Sequence, residues 1–283
     1  MNYFLRFKDG KPKALTFSYD DGVVEDIRLV EMFNKYGLKG TFNVNSNLFS
    51  SNAAHLSAEV IKDLYLKDGH ELACHGLNHP FLEKLSDDLA LYEIMEDRRR
   101  LEELTGTIIR GLAYPYGTTS DRTVELLKAA GIYYARTINH SNNFDIPTEW
   151  LKLKPTCHHD SPNIFDLIDD FLKRDMHRIG LGNNDGLLFY IWGHAYEFGR
   201  NNNWAHIEKV CEMLSCNDDI WYATNIEIYR YIEAFRSLEF SMDHSLVYNP
   251  TTIDVWFEMR ETPYSPLKPV CVKGGETVSL KED

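Results

Sequence analysis

At 283 residues, 43% of them hydrophobic and 26% charged, the chain has material for a sizeable core in one large domain or two small ones. That composition excludes a disordered, fibrous or disulfide-scaffold protein. The 30 Lys and Arg against 43 Asp and Glu give a net charge of −13, which repels phosphate backbones and anionic lipid, so neither nucleic acid nor membrane is expected as a partner.

Short β-branched or aromatic runs alternate with longer helical patterns. Lys13–Tyr19 (KALTFSY) reads as a first strand and Val24–Tyr36 as a helix closing at Gly37. Strands follow at Lys39–Val44 and His70–Cys74, separated by a helix over Ser57–Lys67 with Ser57 as N-cap and Gly69 past its end. A long helix, Asp87–Leu104, stops at Gly106. Strand Ile108–Tyr114, helix Ser120–Ala130 (ending at Gly131) and strand Ile132–Thr137 continue the alternation. Beyond them lie helix Ile164–Lys173, strand Leu187–Trp192, helix Asn203–Leu214, strand Ile220–Thr224 and helix Ile226–Phe235. Such alternation predicts a parallel α/β architecture, a barrel rather than an open sheet. After Ser237 the segments SLVYNP, TIDVWFEMR, KPVCVKGG and TVSL are strand-like and separated by turn signals. The reading is a barrel domain over residues 1–237 and a small antiparallel β appendage, residues 238–283, packed on it.

No apolar run reaches the roughly 18–20 residues of a spanning helix, and MNYFLRFKDGKPK lacks the apolar stretch of a secretion signal. Cys74, Cys157, Cys211, Cys216 and Cys271 are odd in number and without metal-site spacing, so reduced structural thiols are expected. Together these features lead to the expectation of a cytoplasmic protein.

In an α/β barrel, reactive groups gather where strands end. The first strand ends in Ser18-Tyr19-Asp20-Asp21-Gly22, where one carboxylate can bind a cation and the other act as a base, or an Asp can cap the next helix. The third runs into Cys74-His75-Gly76-Leu77-Asn78-His79-Pro80, whose two imidazoles can face one point and suit Zn2+. With an Asp from the other strand end they make three protein ligands and leave a position open for water or substrate, as hydrolytic zinc sites require. Tyr114-Pro115-Tyr116-Gly117 is a rigid turn that can wall a groove or offer a backbone N–H. His194, in Gly193-His194-Ala195-Tyr196-Glu197-Phe198, suits a general acid beside a metal.

The runs TFSYDDG, GHELACHGLNHPFL, GLAYPYG and WGHAYEF resemble, in order and spacing, the motifs of the polysaccharide deacetylases (carbohydrate esterase family four), over about residues 13–235. The resemblance implies a distorted (β/α)7 barrel and metal-dependent hydrolysis of acetyl groups, N-acetyl ahead of O-acetyl, on a carbohydrate or small acetylated substrate. Carried over by position, it makes Asp20 the catalytic base and Asp21, His75 and His79 the ligands of a divalent metal, Zn2+ by preference. Tyr116 would give its N–H to the oxyanion, and His194 would be the general acid. Tyr114, Trp192 and Tyr196 would contact substrate, with Phe198 and Trp204 completing an aromatic face. Two departures stand out. Where the family often has an arginine two residues before the proline of its third motif, this chain has Ala113; Arg110 is out of register with it, and Arg136, at another strand end, is an alternative. The fourth, tryptophan-bearing motif is not visible, leaving Asp160 and Glu197 as candidates to orient His194, while His158 and His159 read as a solvated loop. Beside the deacetylase stand an allantoinase-like amidase acting on a small amide and a barrel that binds carbohydrate without catalysis.

Overall fold

The structure is a computed structural model that describes residues 2–176, 185–262 and 264–281. Strand β1 (Asn2–Arg6) precedes the first expected element and leads to β2 (Lys13–Asp20), buried along its whole length. Then α1 (Asp26–Lys35), β3 (Gly40–Val44), α2 (Ala58–Leu66), β4 (Glu71–Cys74), α3 (Asp87–Thr105), β5 (Gly111–Ala113), α4 (Asp121–Ala129) and β6 (Tyr134–Arg136) alternate as the periodicity requires. Next come β7 (Cys157–His158), α5 (Ile164–Lys173), β8 (Leu187–Gly193), α6 (Tyr196–Arg200), α7 (Trp204–Leu214), β9 (Ile220–Tyr222) and α8 (Asn225–Arg236). The predicted caps form: the Ser57 hydroxyl accepts the Val60 N–H at 3.4 Å, and Gly106 ends α3 in the left-handed conformation at φ 70°.

Strands β2 to β9 form one parallel sheet of eight, ordered β6-β5-β4-β3-β2-β8-β7, with β9 beside the first residues of β2. The sheet is curled. Arg136 at the end of β6 pairs with Asp20 at the end of β2, although four strand spacings separate them, about 19 Å in a flat sheet. A guanidinium cannot span that distance, so the strands wrap toward each other as a distorted, partly closed (β/α)7-type barrel. Below the rim the interior holds a polar layer. Glu71 accepts from Thr41, Tyr134 and the Ile226 N–H at 2.8–2.9 Å, and Asn225 at the start of α8 bonds Thr16, Thr41 and Tyr190. Burial without a cation raises the Glu71 carboxyl to about 7.

The antiparallel part comprises β10 (Glu239–Phe240), β11 (Leu246–Tyr248) and β14 (Thr277–Ser279) in one sheet, with β12 (Val255–Arg260) and β13 (Lys268–Val272) in another. The second sheet is completed by β1, paired to β12 in register Asn2↔Arg260 to Arg6↔Trp256. The antiparallel unit is therefore built from both ends of the chain rather than from residues 238–283 alone. It docks through Leu5, Phe7 and Trp256 against Ile228 and Tyr231 of α8, with the Tyr231 hydroxyl donating to Arg6 O and accepting from the Trp256 N–H, each at 2.9 Å.

Candidate active site at the barrel rim

Seven of the eight strand ends on the C-terminal rim contribute to one cluster of polar groups: Asp20 closing β2 and Asp21 after it, Asn43 in β3, His75 after β4, the Ala113 carbonyl in β5, Arg136 in β6, His158 in β7 and His194 after β8. Asp21, His75 and His79 come together, with His75 Nε2 and His79 Nε2 at 3.6 and 3.8 Å from Asp21 Oδ1. Separations near 3.5 Å are those of donors sharing a tetrahedral ion with bonds of about 2.1 Å. His75 Nδ1 lies 2.8 Å from the Ala113 carbonyl, to which it donates, so its Nε2 lone pair faces Asp21 as a metal-ligating imidazole requires. The residues present therefore fit a divalent metal.

The loop carrying both histidines is held from below. Asp97 of α3 accepts the N–H groups of Ser46 and His75 at 2.8 and 3.0 Å, while Glu93 takes the Asn78 N–H and side-chain amide at 2.8 and 2.7 Å. Asn45 donates to the carbonyls of His75 and Gly76. Asp21, His79 and Tyr116 all adopt positive φ, 81°, 58° and 59°, a conformation that costs of order 1 kcal/mol for residues with a Cβ. Strain at three site residues is consistent with backbone set for chemistry rather than for stability.

Asp20 is 3% exposed, its Oδ1 accepting from Asn43 Nδ2 at 2.9 Å and its Oδ2 from Arg136. His75 Nε2 and His194 Nε2 each stand 3.9 Å from Oδ2. Burial pushes the carboxyl up, but Arg136 and the two histidines outweigh it and hold Asp20 below the ordinary range. Arg136 itself lies 4.5 Å above the Trp192 ring. It is the arginine that takes the place of Ala113. Arg110 instead donates to the Gly131 carbonyl. His194 Nδ1 is 3.6 Å from Glu197, whereas Asp160 accepts from Asn201 and Asn203, so of the two candidates Glu197 is the neighbour. Burial opposes the His194 charge, and Glu197, Asp20 and Asp21 together outweigh it, raising that imidazole above its usual value.

Other expectations change. Tyr114 is core, 1% exposed with its hydroxyl donating to Leu151 O at 2.8 Å, so it is not a substrate contact. Phe198 is fully buried against Tyr19 and His159, and Trp204 packs on Phe198 beneath Arg28. Trp192 is nearly buried and donates Nε1–H to His140 Nε2 at 3.1 Å; Tyr196 lies half-buried against His194. The exposed aromatic at the rim is Tyr116, stacked on Phe81 at 3.8 Å and edge-on to His79. His158 and His159 are not a solvated loop: His158 ends β7, and His159, 0% exposed, extends its pairing through a bond to Trp192 O at 2.8 Å. Asn43, Arg136 and Phe81 are the participants that motif reading underweighted. A lone Asn within the apolar run GTFNV was the available signal for the first.

Fold and site together define a curled parallel α/β barrel with a two-histidine, one-carboxylate centre on its C-terminal rim. Residues 7–135 match the polysaccharide deacetylase family model. Over 115 residues the chain is 37% identical to a chitin deacetylase of Arthroderma benhamiae, an alignment covering 38% of this chain and 28% of that protein. In overall fold it is similar to a Mycobacterium smegmatis protein assigned to the polysaccharide deacetylases (TM-score 0.61, 19% identity, 83% of this chain and 95% of that one). It is also similar to the family-four esterase domain of a xylanase from the hindgut metagenome of Trinervitermes trinervoides (TM-score 0.52, 16% identity, 79% and 92%). Residues 7–135 are thus similar to the polysaccharide deacetylases, and the chain spans 28% of the length of the chitin deacetylase it matches. The matched segment holds Asp20, Asp21, His75, His79 and Tyr116 and ends one residue before Arg136, so it does not reach His194 or Glu197.

Proposed function

We propose that this chain is a divalent-metal-dependent deacetylase that removes acetyl groups, N-acetyl ahead of O-acetyl, from a carbohydrate. The observation that carries the reading is the convergence of Asp21, His75 and His79, with the His75 tautomer fixed by Ala113, beside an ion-paired Asp20. Two imidazoles and one carboxylate suit Zn2+, and Co2+, Ni2+ or Fe2+ suit the same donors. When bound, such an ion polarises an acetyl carbonyl and a water.

The chain's own groups supply the rest. Asp20, kept anionic by Arg136, accepts the proton of the attacking water, while Asn43 and Arg136 fix its two oxygens. The Tyr116 N–H, presented by a left-handed turn, donates to the oxygen that becomes negative. His194 hands a proton from Nε2 to the departing amine or alkoxide. Tyr116 and Tyr196 offer ring faces or edges to the sugar. The Arg136–Asp20 pair supports catalysis over the inactive-barrel reading, because the role left open by Ala113 is filled.

The test is colorimetric acetate release from N- and O-acetylated sugars before chelation, after it, and after Zn2+ is restored. Release that chelation abolishes and Zn2+ recovers is expected. Failure on every acetylated sugar, with turnover of a small linear or cyclic amide instead, would move the chain to the amidase reading.

A further inference from the structure

The half of the rim built by β7, β8 and α6 carries a group of four side chains whose arrangement the reaction above does not by itself require. Glu197 lies at its centre. His158 Nε2 and His159 Nε2 stand 3.1 and 3.2 Å from Glu197 Oε2, and His194 Nδ1 stands 3.6 Å from Glu197 Oε1. Burial works against the Glu197 charge, yet the three surrounding imidazoles outweigh it and hold this carboxyl far below the ordinary range.

The proton positions follow from the outer contacts. His158 Nδ1 accepts the Asp160 N–H at 3.2 Å, so its own proton sits on Nε2 and faces Glu197. That argues against a second metal centre, although His158, His194 and Glu197 have donor atoms within 4.8 Å of one another, because an ion on Nε2 would have to displace that proton and leave Nδ1 bare. His159 is clamped in place. Its ring stacks on Tyr19 at 5.7 Å and packs against Phe198, and its Nδ1 lies so close to Gly193 that a Cβ there would meet it at 1.9 Å. Glu197 Oε2, His194 Nδ1 and both ring nitrogens of His159 are buried without a finished hydrogen bond. Contacts of this kind commonly lengthen in free enzymes and tighten when substrate closes the site.

The geometry points to Glu197, flanked on one oxygen by His158 and His159, as the positioning residue that faces the Nδ1 proton of the His194 imidazolium and so aims its Nε2 proton at the leaving group. It thereby replaces the orienting group that the sequence lacks in its expected place. The inference deepens the deacetylase reading and rests on it for the role of His194. Glu197 stands outside the candidate ligand set Asp21, His75 and His79. Its effect passes through His194, which matters most when the leaving group is poor and must be protonated to depart.

The experiment compares Glu197→Gln and His158→Phe with wild type on an acetamido sugar and on an activated aryl acetate, whose phenolate leaves unaided. Zn2+ content is measured in each protein and 15N NMR of the histidine rings reports the tautomers. Expected is a loss of about 10²-fold or more in kcat on the amide for Glu197→Gln, within the range of general acid catalysis. The loss on the aryl acetate should be under tenfold, with Zn2+ unchanged and the proton of the neutral His194 ring redistributed from Nδ1 toward Nε2. Glu197→Asp should restore part of the amide activity. Equal losses on both substrates, or an unchanged His194 tautomer, would overturn the inference, as would loss of a second Zn2+ equivalent in the variants. If wild type released no acetate from either substrate, the deacetylase reading would fall, while the NMR arm would still decide whether Glu197 sets the His194 proton.

Discussion

Replacing Arg136 by methionine keeps most of the side-chain volume and leaves the Asp20 carboxylate buried without its cation. Removing one member of a buried ion pair costs about 3–5 kcal/mol, because the remaining charge is uncompensated. Asn43 still donates to Oδ1, and His75 and His194 remain 3.9 Å from Oδ2, which holds the loss near the lower end. Loss of the guanidinium from its place 4.5 Å over Trp192 adds about 1 kcal/mol. The sum is about 4 kcal/mol at pH 7, or a fall of roughly 8 °C in Tm at about 2 °C per kcal/mol for a chain of this size. In an Asp20→Asn background no buried charge is stranded, and Arg136→Met should cost about 1 kcal/mol, the stacking alone. Urea unfolding of wild type, both single variants and the double variant gives the coupling directly, expected at about 3 kcal/mol. A coupling below about 1 kcal/mol would mean that Asp20 and Arg136 do not depend on one another, and the account of how the base is kept charged would fail with it.

Stability should fall between about pH 6.5 and 8.5. Burial holds Asp26 at about 8 and Glu71 at about 7, so through this range the folded chain retains protons that the unfolded chain has released, and stability present at low pH is lost as each folded-state value is passed. Below pH 6.5, His70 and His159, each pushed by burial to about 4, act in the opposite sense and offset much of this trend, so the fall should be steepest above pH 6.5; a Tm that rises from pH 7 to 8.5 would contradict this. Gly193→Ala should destabilise by about 3 kcal/mol or more, since the added methyl meets a His159 ring that Tyr19 and Phe198 prevent from moving; thermal melts within about 2 °C of wild type would refute it.

The long alternating pattern was readable because each barrel strand from β2 to β5 is a short apolar run followed by an amphipathic helix with a serine or glycine stop. The two-residue β7 was not. Cys157–His158 follows Pro155, shows no alternation, and is recruited to the sheet only by the neighbouring β8. β1 was missed for a related reason, since its partner lies at the far end of the chain, where no local pattern can announce it. At the site, Asp20, Asp21, His75 and His79 could be found by motif because adjacent loops deliver them. Arg136 could be named but not placed, since its reach to Asp20 depends on sheet curvature, a property of the whole barrel. Tyr114 was misdirected because GLAYPYG does not reveal which face of the strand each ring takes, and the hydroxyl turned inward to Leu151. Likewise every residue of β8 is buried, so its sequence could not separate the ring of Trp192 near the site from those filling the core.

The pairing of β1 with β12 has a consequence during synthesis. Asn2 and its partner Arg260 are 258 positions apart, so at about 5–20 residues per second the first strand emerges roughly 10–50 s before the strand that will cover its edge. Meanwhile the nascent barrel presents Phe4, Leu5 and Phe7 with open backbone donors and acceptors, a template for mispairing with any other strand nearby. The native guard against this is late and ionic as well as apolar: Arg6 closes on Glu258 at 2.5 Å once β12 arrives. Nascent chains stalled before residue 255 should therefore be the species that chaperones hold longest, and the final latch of the fold is the event that releases them.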